Sequence, residues 1–321
     1  MPETRLLVVT QALAGLRLDV ALTKLAPDLT RARVQRLLDA GLLLVDGRAG
    51  KAASRVRGGE RLELTLPDPE PSGLVAQDLP LAVLFEDEDL LVLDKAAGMV
   101  VHPARGTPHS TVVNALLHRL GHEGPGSRLG LVHRLDKDTS GCLVVAKHEA
   151  ALVALQAAFK RRDVEKSYLA LCHGALAAEG RLDTPFGRHP RDRTRYTSRL
   201  KDSVRRAVTT WRVREAFSGA AWVEVTLHTG RTHQIRVHLA EHGHPLLADA
   251  IYGGTRREAR LAPDHPVRRA AEAIGRQALH AWRLGFPHPR TGERVAFEAP
   301  PPADFEAALA VLRGHPTASR P

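Results

Sequence analysis

The sequence predicts an α+β chain in two parts. A small N-terminal α/β module precedes a larger domain, whose mixed, largely antiparallel sheet is flanked by helices and long loops. Three observations carry this reading. Strand-like apolar runs and helix candidates alternate irregularly in the larger part, as in a sheet with helices laid over it. Four prolines within residues 67–80 separate the two parts, because proline sustains neither a helix interior nor a central strand. Residues 67–94 hold eight acids and no Lys or Arg, so an acidic stretch divides two basic regions.

The module is read over residues 15–66. Leu18 to Leu25 has helical apolar spacing and stops before Pro27. Thr30 suits the N-cap of a second helix, TRARVQRLLDAG, closed by Gly41. LLLVDGRAG reads as a strand and a turn at Asp46-Gly47, and ERLELTL alternates with period two. Residues 67–80 are the linker. The second domain is read over 81–305. Its strands are LAVLFED, LLVLDK, CLVVAK, SYLALCHG, WVEVTLHTG and RVAFEAP; its helices are STVVNALLHRLG, EAALVALQAAFKRR and THQIRVHLAEHG. Residues 181–214, with eleven Lys/Arg against three Asp, and residues 255–276 are read as long irregular basic segments. The tail beyond Leu312 is expected to fray.

Composition narrows the function classes. Hydrophobic residues make up 43%, enough for an ordinary core. No apolar run approaches a membrane span, and MPETRLLVVTQAL lacks the cleavage pattern of a secretory signal. A cytoplasmic protein with no membrane partner is expected. Cys142 and Cys172 are not a CxxC pair and sit in strand-like runs, so they read as buried free thiols. His238, His242 and His244 are the densest histidine cluster, but no HExxH or cysteine cluster supports a metal site. The net charge of +10, carried mostly by arginine, points to a phosphate-rich partner.

The most informative stretch is LVHRLDKDTSGCLVVAK, residues 131–147, where a nine-residue, mostly polar insert divides two apolar runs. A calcium loop would use Asp136, Asp138, Ser140 and Gly141, but its twelfth position is Lys147 rather than a glutamate. An aspartyl phosphatase would end a strand in D-x-D-x-T, but His133 and Arg134 break that strand. The remaining reading is a rigid loop that aims one carboxylate into a basic, nucleic-acid-binding cleft. His133, Thr139 and Ser140 can hydrogen-bond the loop backbone, and Gly141 allows a tight exit.

HRLDKDTSG resembles the hallmark motif of the RluA-type pseudouridine synthases. FEDEDLLVLDKAAGMVVHPARG (85–106), EKSYLAL (165–171), LHTGRTHQIRVHLAEHGHPLLADAIYGG (227–254) and LHAWRLGFPHP (279–289) resemble further motifs of that family in the same order. Residues 15–66 resemble an RNA-binding module shared with a small-subunit ribosomal protein. Ala96 and Ala248 depart from the family pattern, where proline and glycine are usual.

The resemblance implies isomerisation of uridine to pseudouridine in RNA, with no cofactor or metal, by a monomer. Large-subunit (23S) ribosomal RNA is the expected substrate, free or within pre-ribosomal particles. Transfer RNA is the runner-up, and a non-catalytic RNA-binding or ribosome-assembly factor is the competing class. The implied catalytic residues are Asp136, acting on the ribose as nucleophile or base, and Tyr168, packing on the base and helping to remove the carbon-5 proton. Arg231 is expected to pair with Asp136 and orient it. Arg134 is expected either to fill the space left by the extruded base or to contact phosphate. In the module, Arg17, Arg31, Arg33, Gln35 and Arg57 are the expected RNA contacts, Thr30–Gln35 opening a helix whose N–H groups favour phosphate.

Overall fold

A computed structural model describes residues 3–66, 74–103, 107, 109–121, 130–200 and 205–314. The N-terminal unit contains β1 (Glu3–Val8), α1 (Leu18–Leu25), α2 (Arg31–Asp39), β2 (Leu43–Val45), β3 (Arg48–Ala49) and β4 (Arg61–Leu66). Its antiparallel sheet has the order β1-β4-β2-β3. Leu18, Ala21 and Leu22 of α1 and Val34, Leu37 and Leu38 of α2 pack on Leu43, Leu62 and Leu64 of the sheet. Thr30 caps α2, its hydroxyl accepting from the Arg33 N–H at 3.2 Å. Asp46 and Gly47 both have positive φ, 47° and 75°, as a two-residue hairpin turn requires.

The unit is larger than the expected 15–66, because β1 pairs with β4 from Glu3↔Leu66 to Val8↔Arg61. The strand was hard to see in the sequence because its apolar residues do not all face the core: Leu6 is 78% exposed.

The second unit contains β5 (Ala82–Glu86), β6 (Leu90–Lys95), α3 (Val112–Leu120), β7 (Ser140–Ala146), α4 (Glu149–Arg161), β8 (Glu165–His173), β9 (Glu179–Pro185), β10 (Gly187–Arg188) and β11 (Tyr196–Thr197). It continues with β12 (Arg206–Phe217), β13 (Ala220–Leu227), α5 (Gln234–Glu241), α6 (Gly254–Glu258), α7 (Pro266–Ile274), β14 (Leu279–Pro287), β15 (Arg294–Glu298) and α8 (Ala303–Leu312). The nine-stranded sheet runs β5-β6-β7-β14-β8-β13-β12-β9, with β15 paired to β14. Among its described strands only β7 and β14 pair in parallel, so the sheet is mixed and largely antiparallel. Helices cover both faces. Leu91 and Leu93 pack with α3 and α5 residues, whereas their neighbours Leu90 and Val92 pack with α4. Two-sided burial is why β6 and β7 read as continuous apolar runs. Helices α7 and α8 cover Leu169 and Leu171 of β8.

Among the described residues the two basic segments are irregular only in part. Residues 181–214 form most of β9 and β12 with the β10–β11 hairpin between them, and 255–276 form most of α6 and α7. Most of their arginines lie outward while Ala207 and Trp211, or Val267, Ala270, Ala271 and Ile274, face inward; Arg276 is the exception, its side chain 9% exposed. Helix α8 carries the fold to Leu312, beyond the expected limit of 305. Of the linker, residues 67–73 lie outside the described residues. The rest is held against α3, where Asn114 Nδ2 donates to the Val75 carbonyl at 2.7 Å and the Gln77 N–H to the Asn114 carbonyl at 3.0 Å. The tail from residue 315 also lies outside the described residues. Cys142 and Cys172 are buried free thiols. Among the described residues no helix is long and apolar enough to cross a membrane.

Asp19 organises the N-terminal unit electrostatically. It is buried on α1 and accepts from Arg17 Nε at 3.0 Å and Arg31 Nη2 at 2.7 Å. Arg17, then Arg31, hold its carboxyl down to about 2 from an ordinary 3.8. A depressed carboxyl contributes stability above its unfolded value and loses it as pH falls through the folded one. Thermal unfolding of the full chain should therefore show stability lost between about pH 4 and pH 2, and Asp19→Asn should remove that part of the dependence.

Candidate active site

The loop before β7 is built to hold one carboxylate still. Leu135, Thr139 and Ser140 are buried, while Arg134 and Lys137 are exposed. Two cations grip its backbone rather than its acids. The buried Lys95 ammonium donates to the carbonyls of Ala96, Met99 and Lys137 at 2.7, 2.9 and 3.0 Å. Arg276, clamped by Asp304, donates to the Asp138 carbonyl at 2.8 Å and to Ser140 Oγ at 3.3 Å. Burial brings Lys95 down to about 8. His280 Nε2 donates to the Ala299 carbonyl, so its Nδ1 accepts from the Ser140 hydroxyl at 2.9 Å. His133 is neutral, since burial pushes it down to about 3. Its Nε2 accepts from the Val144 N–H at 3.1 Å, and its ring stacks on Phe159. Gly141 has φ 110°, and a Cβ there would lie 2.2 Å from the Ala281 carbonyl oxygen, where β14 joins β7. No larger residue fits.

The loop overlooks a cavity of about 780 Å³. Its walls come from the loop, from Phe159, Lys160 and Arg162 at the end of α4, from Lys166 and Tyr168 on β8, and from residues 227–236. Asp136 is the one acid among the described lining residues, against the cations Arg134, Lys160, Arg162, Lys166, Arg231 and Arg236. Asp138, the neighbouring acid, does not line it.

The expected partner of Asp136 requires correction. Arg231 lines the cavity, but its Nε donates to the Arg206 carbonyl at 3.3 Å. Arg236, five residues later, donates from Nη1 to Asp136 Oδ2 at 3.2 Å. The turn into α5 decides which arginine points inward. Gln234 ties that turn down: its Oε1 accepts from the Arg231 N–H and the Thr229 hydroxyl, and its Nε2 donates to the Val208 carbonyl and Thr209 Oγ1. His233 has φ 59°, which swings the chain into the helix. Arg231 is left on the exposed approach, and Arg236 sits one turn inside, 4% exposed.

Arg236 is itself held by Asp249, which sequence reasoning did not single out. Its Nε and Nη2 meet the two Asp249 oxygens at 2.7 and 3.0 Å. Asp249 is fully buried, and its Oδ1 also accepts from the N–H groups of Ile251 and Tyr252, each at 3.0 Å. The D-A-I-Y spacing after 248 was the available signal, since an acid followed by two free N–H groups is a turn that binds its own side chain. Ala248, in place of the usual glycine, has φ 56° and so holds a left-handed conformation that L-residues adopt at a cost.

The other side of Asp136 faces His233, whose Nε2 is 3.9 Å from Oδ1. His233 Nδ1 lies 2.9 Å from the Tyr252 hydroxyl, which accepts from the Tyr196 N–H. Burial lowers the His233 pKa although Asp136 opposes it. Tyr168 is 8% exposed and lines the cavity. Burial, then the Asp136 charge, push its phenol upward, so it keeps its proton at neutral pH. Arg134 stands exposed at the mouth, with no hydrogen bond or ion pair among the described residues.

The expected module contacts are placed unevenly. Arg17 and Arg31 are held by Asp19. Arg33 lies 3.6 Å from Glu149 at the start of α4, whose other oxygen accepts from the Thr30 N–H at 3.2 Å. Gln35 donates to Asp39 at 2.8 Å, and Arg57 is exposed. In the histidine cluster, both His238 ring nitrogens meet hydroxyls, of Thr209 at 2.8 Å and Thr184 at 3.0 Å, and burial pushes it down to about 4.

Removing Asp249 would leave the Arg236 guanidinium buried beside one acid instead of two. Asp249→Ala should cost about 3–5 kcal/mol in denaturant unfolding. Asp249→Asn, which keeps an oxygen for the Ile251 and Tyr252 N–H groups, should cost less.

The chain is similar to known proteins. The sequence profile described as RNA pseudouridylate synthase matches residues 89–241. The ribosomal large subunit pseudouridine synthase D of Xanthomonas campestris is 43% identical over 308 residues, covering 95% of this chain and 92% of that protein. The protein of the same name from Nitrosomonas europaea is 42% identical, covering 98% and 90%. Among solved structures, human RNA pseudouridylate synthase domain containing 4 aligns with a TM-score of 0.55 and 27% identity, over 72% of this chain and 93% of that one. A likeness of this extent, running through the Asp136 loop and the cavity walls, means that the chain belongs to the RNA pseudouridylate synthase family.

Proposed function

We propose that this protein converts uridine to pseudouridine in large-subunit (23S) ribosomal RNA, with Asp136 as the reacting carboxylate. The substrate follows from what the relatives are named for, and the chemistry from the site. The observation that carries the reading is the single carboxylate in a cation-lined cavity, one oxygen held by Arg236 and the other facing open space beside His233.

The reaction is an isomerisation and balances internally. The bond from uracil N1 to the ribose breaks, the base turns, and a bond forms from C5 to the same ribose carbon. The C5 proton leaves and N1 gains one. Asp136 acts at the ribose. Arg236 orients the carboxylate, which the clamped loop carries at fixed height. Tyr168, a neutral phenol, offers its ring to the base, and any proton it accepts from C5 it must pass on from its own hydroxyl. Arg134, exposed at the cavity, is the residue we assign to the space a base leaves on extrusion, a step that costs a few kcal/mol. The surplus of cations draws the RNA backbone to the cavity. Arg57, and the Arg17–Arg31 pair at the surface of the N-terminal unit, extend the basic surface. The work is that of a cytoplasmic monomer on ribosomal RNA or a pre-ribosomal particle, without cofactor or metal.

Asp136→Asn should abolish pseudouridine formation while RNA affinity stays within about threefold, because phosphate contacts dominate binding. Pseudouridine mapping of ribosomal RNA and a binding titration read the two effects separately. Near-wild-type turnover by the Asn protein would reject Asp136 as the reacting group.

Arg236→Lys should lower kcat by about 100-fold or more with a smaller change in KM, since a lysine cannot span Asp249 and Asp136 together. Arg231→Lys should change KM more than kcat. The reverse ranking, in steady-state kinetics, would return the orienting role to Arg231.

A further inference from the structure

Among the described residues Lys166 is a cation without a counter-ion. It projects from β8 into the cavity and is half-buried. Its ammonium lies 5.9 Å from the Phe159 ring centroid, and a Cβ built on Gly230 would come within 4.0 Å of it. It therefore sits between the end of α4 and the 229–231 loop. Among the described residues no carboxylate pairs with it. The acids flanking it in sequence point elsewhere, Asp163 to Arg294 at 3.0 Å and Glu165 towards Arg283 at 3.9 Å. Burial first, and then the neighbouring Arg162, weaken its hold on its proton; behind burial, Lys166 in turn acts the same way on His133 and His228. Taking an unpaired ammonium partly out of water among like charges is unfavourable. An anion entering from outside would relieve it.

The position says which anion. Lys166 and Tyr168 are two residues apart on one strand and share its cavity face, about 7 Å apart along the chain. That matches the span from a nucleobase to its own sugar-phosphate. Arg162, exposed at the α4 terminus with φ 61°, lines the same edge. We propose that Lys166, with Arg162 beside it, is the subsite for a backbone phosphate flanking the nucleotide whose base lies against Tyr168. This rests on the reading of the cavity as a uridine site. It adds that one phosphate is held by a dedicated half-buried cation, with the remaining cations acting as a general field.

The test uses the full chain and small probes, so it needs no turnover. Uridine, uridine 5′-monophosphate and uridine 3′-monophosphate are titrated at fixed low salt and followed by NMR. Wild type should bind one monophosphate at least about tenfold more tightly than uridine. Lys166→Met should abolish that preference and leave uridine affinity unchanged, and Lys166→Arg should keep it. Arg162→Gln, at an exposed position, should weaken it in part and so serves if Lys166→Met fails to fold. Lys160→Gln, a cavity cation outside the proposed pair, should leave it intact. Equal affinity for all three probes, a preference that survives Lys166→Met, or an equal loss in Lys160→Gln would each overturn the subsite. Failure of the uridine reading itself would appear differently, as absent pseudouridine formation or active Asp136→Asn protein.

Discussion

The site depends on one buried guanidinium shared by two carboxylates. Arg236 spends Nε and Nη2 on Asp249 and keeps Nη1 for Asp136. An ion pair so buried is weak evidence for stability, because desolvation opposes the attraction. It is better understood as a device for geometry. Asp249 is fixed by two backbone N–H groups of its own turn, Arg236 is fixed by Asp249, and Asp136 inherits that orientation. The Arg231–Gln234 turn decides which residue fills this place, and Gln234 satisfies four partners in doing so.

The carboxylate is approached from its other end by the loop that carries it. Lys95 and Arg276 bind carbonyls of that loop, so its backbone is held without neutralising Asp136. Donor-rich side chains suit this, since an ammonium can satisfy three carbonyls and a guanidinium can bridge a carbonyl, a hydroxyl and an acid. The cost of burying Lys95 shows in its lowered pKa. Holding a reacting group in one geometry before the substrate arrives is what lowers the barrier for a chemical step.

Charge is divided between two tasks. Around the cavity, cations outnumber acids and several have no partner among the described residues, so they are available to phosphate. In the N-terminal unit, Arg17 and Arg31 are tied to Asp19, and Arg33 lies close to Glu149. Those arginines shape the unit and its contact with α4, while Arg57 and the outer faces of Arg17 and Arg31 remain in solvent. The same residue type thus serves packing in one place and ligand attraction in another.

Much of this was legible in the chain itself because the signals are local. Thr30 caps α2 through its own third neighbour, Asp46-Gly47 closes a hairpin through its own dihedrals, and the HRLDKDTSG insert between apolar runs marks a loop that must carry charge. The choice of Asp136 over Asp138 within that loop came from its resemblance to the family motif. Other features were decided only when distant segments met. Strands β9 and β12 hide their apolar face among arginines, and α7 hides the spacing of Val267, Ala270, Ala271 and Ile274 in the same way. Strand β14 takes its place between β7 and β8 although more than a hundred residues separate it from either, and it forces Gly141 by approaching within contact. Arg231 and Arg236 look alike in sequence. Which one reaches Asp136 depends on a left-handed residue at 233 and on a buried acid thirteen residues beyond Arg236, and spacing along the chain encodes neither.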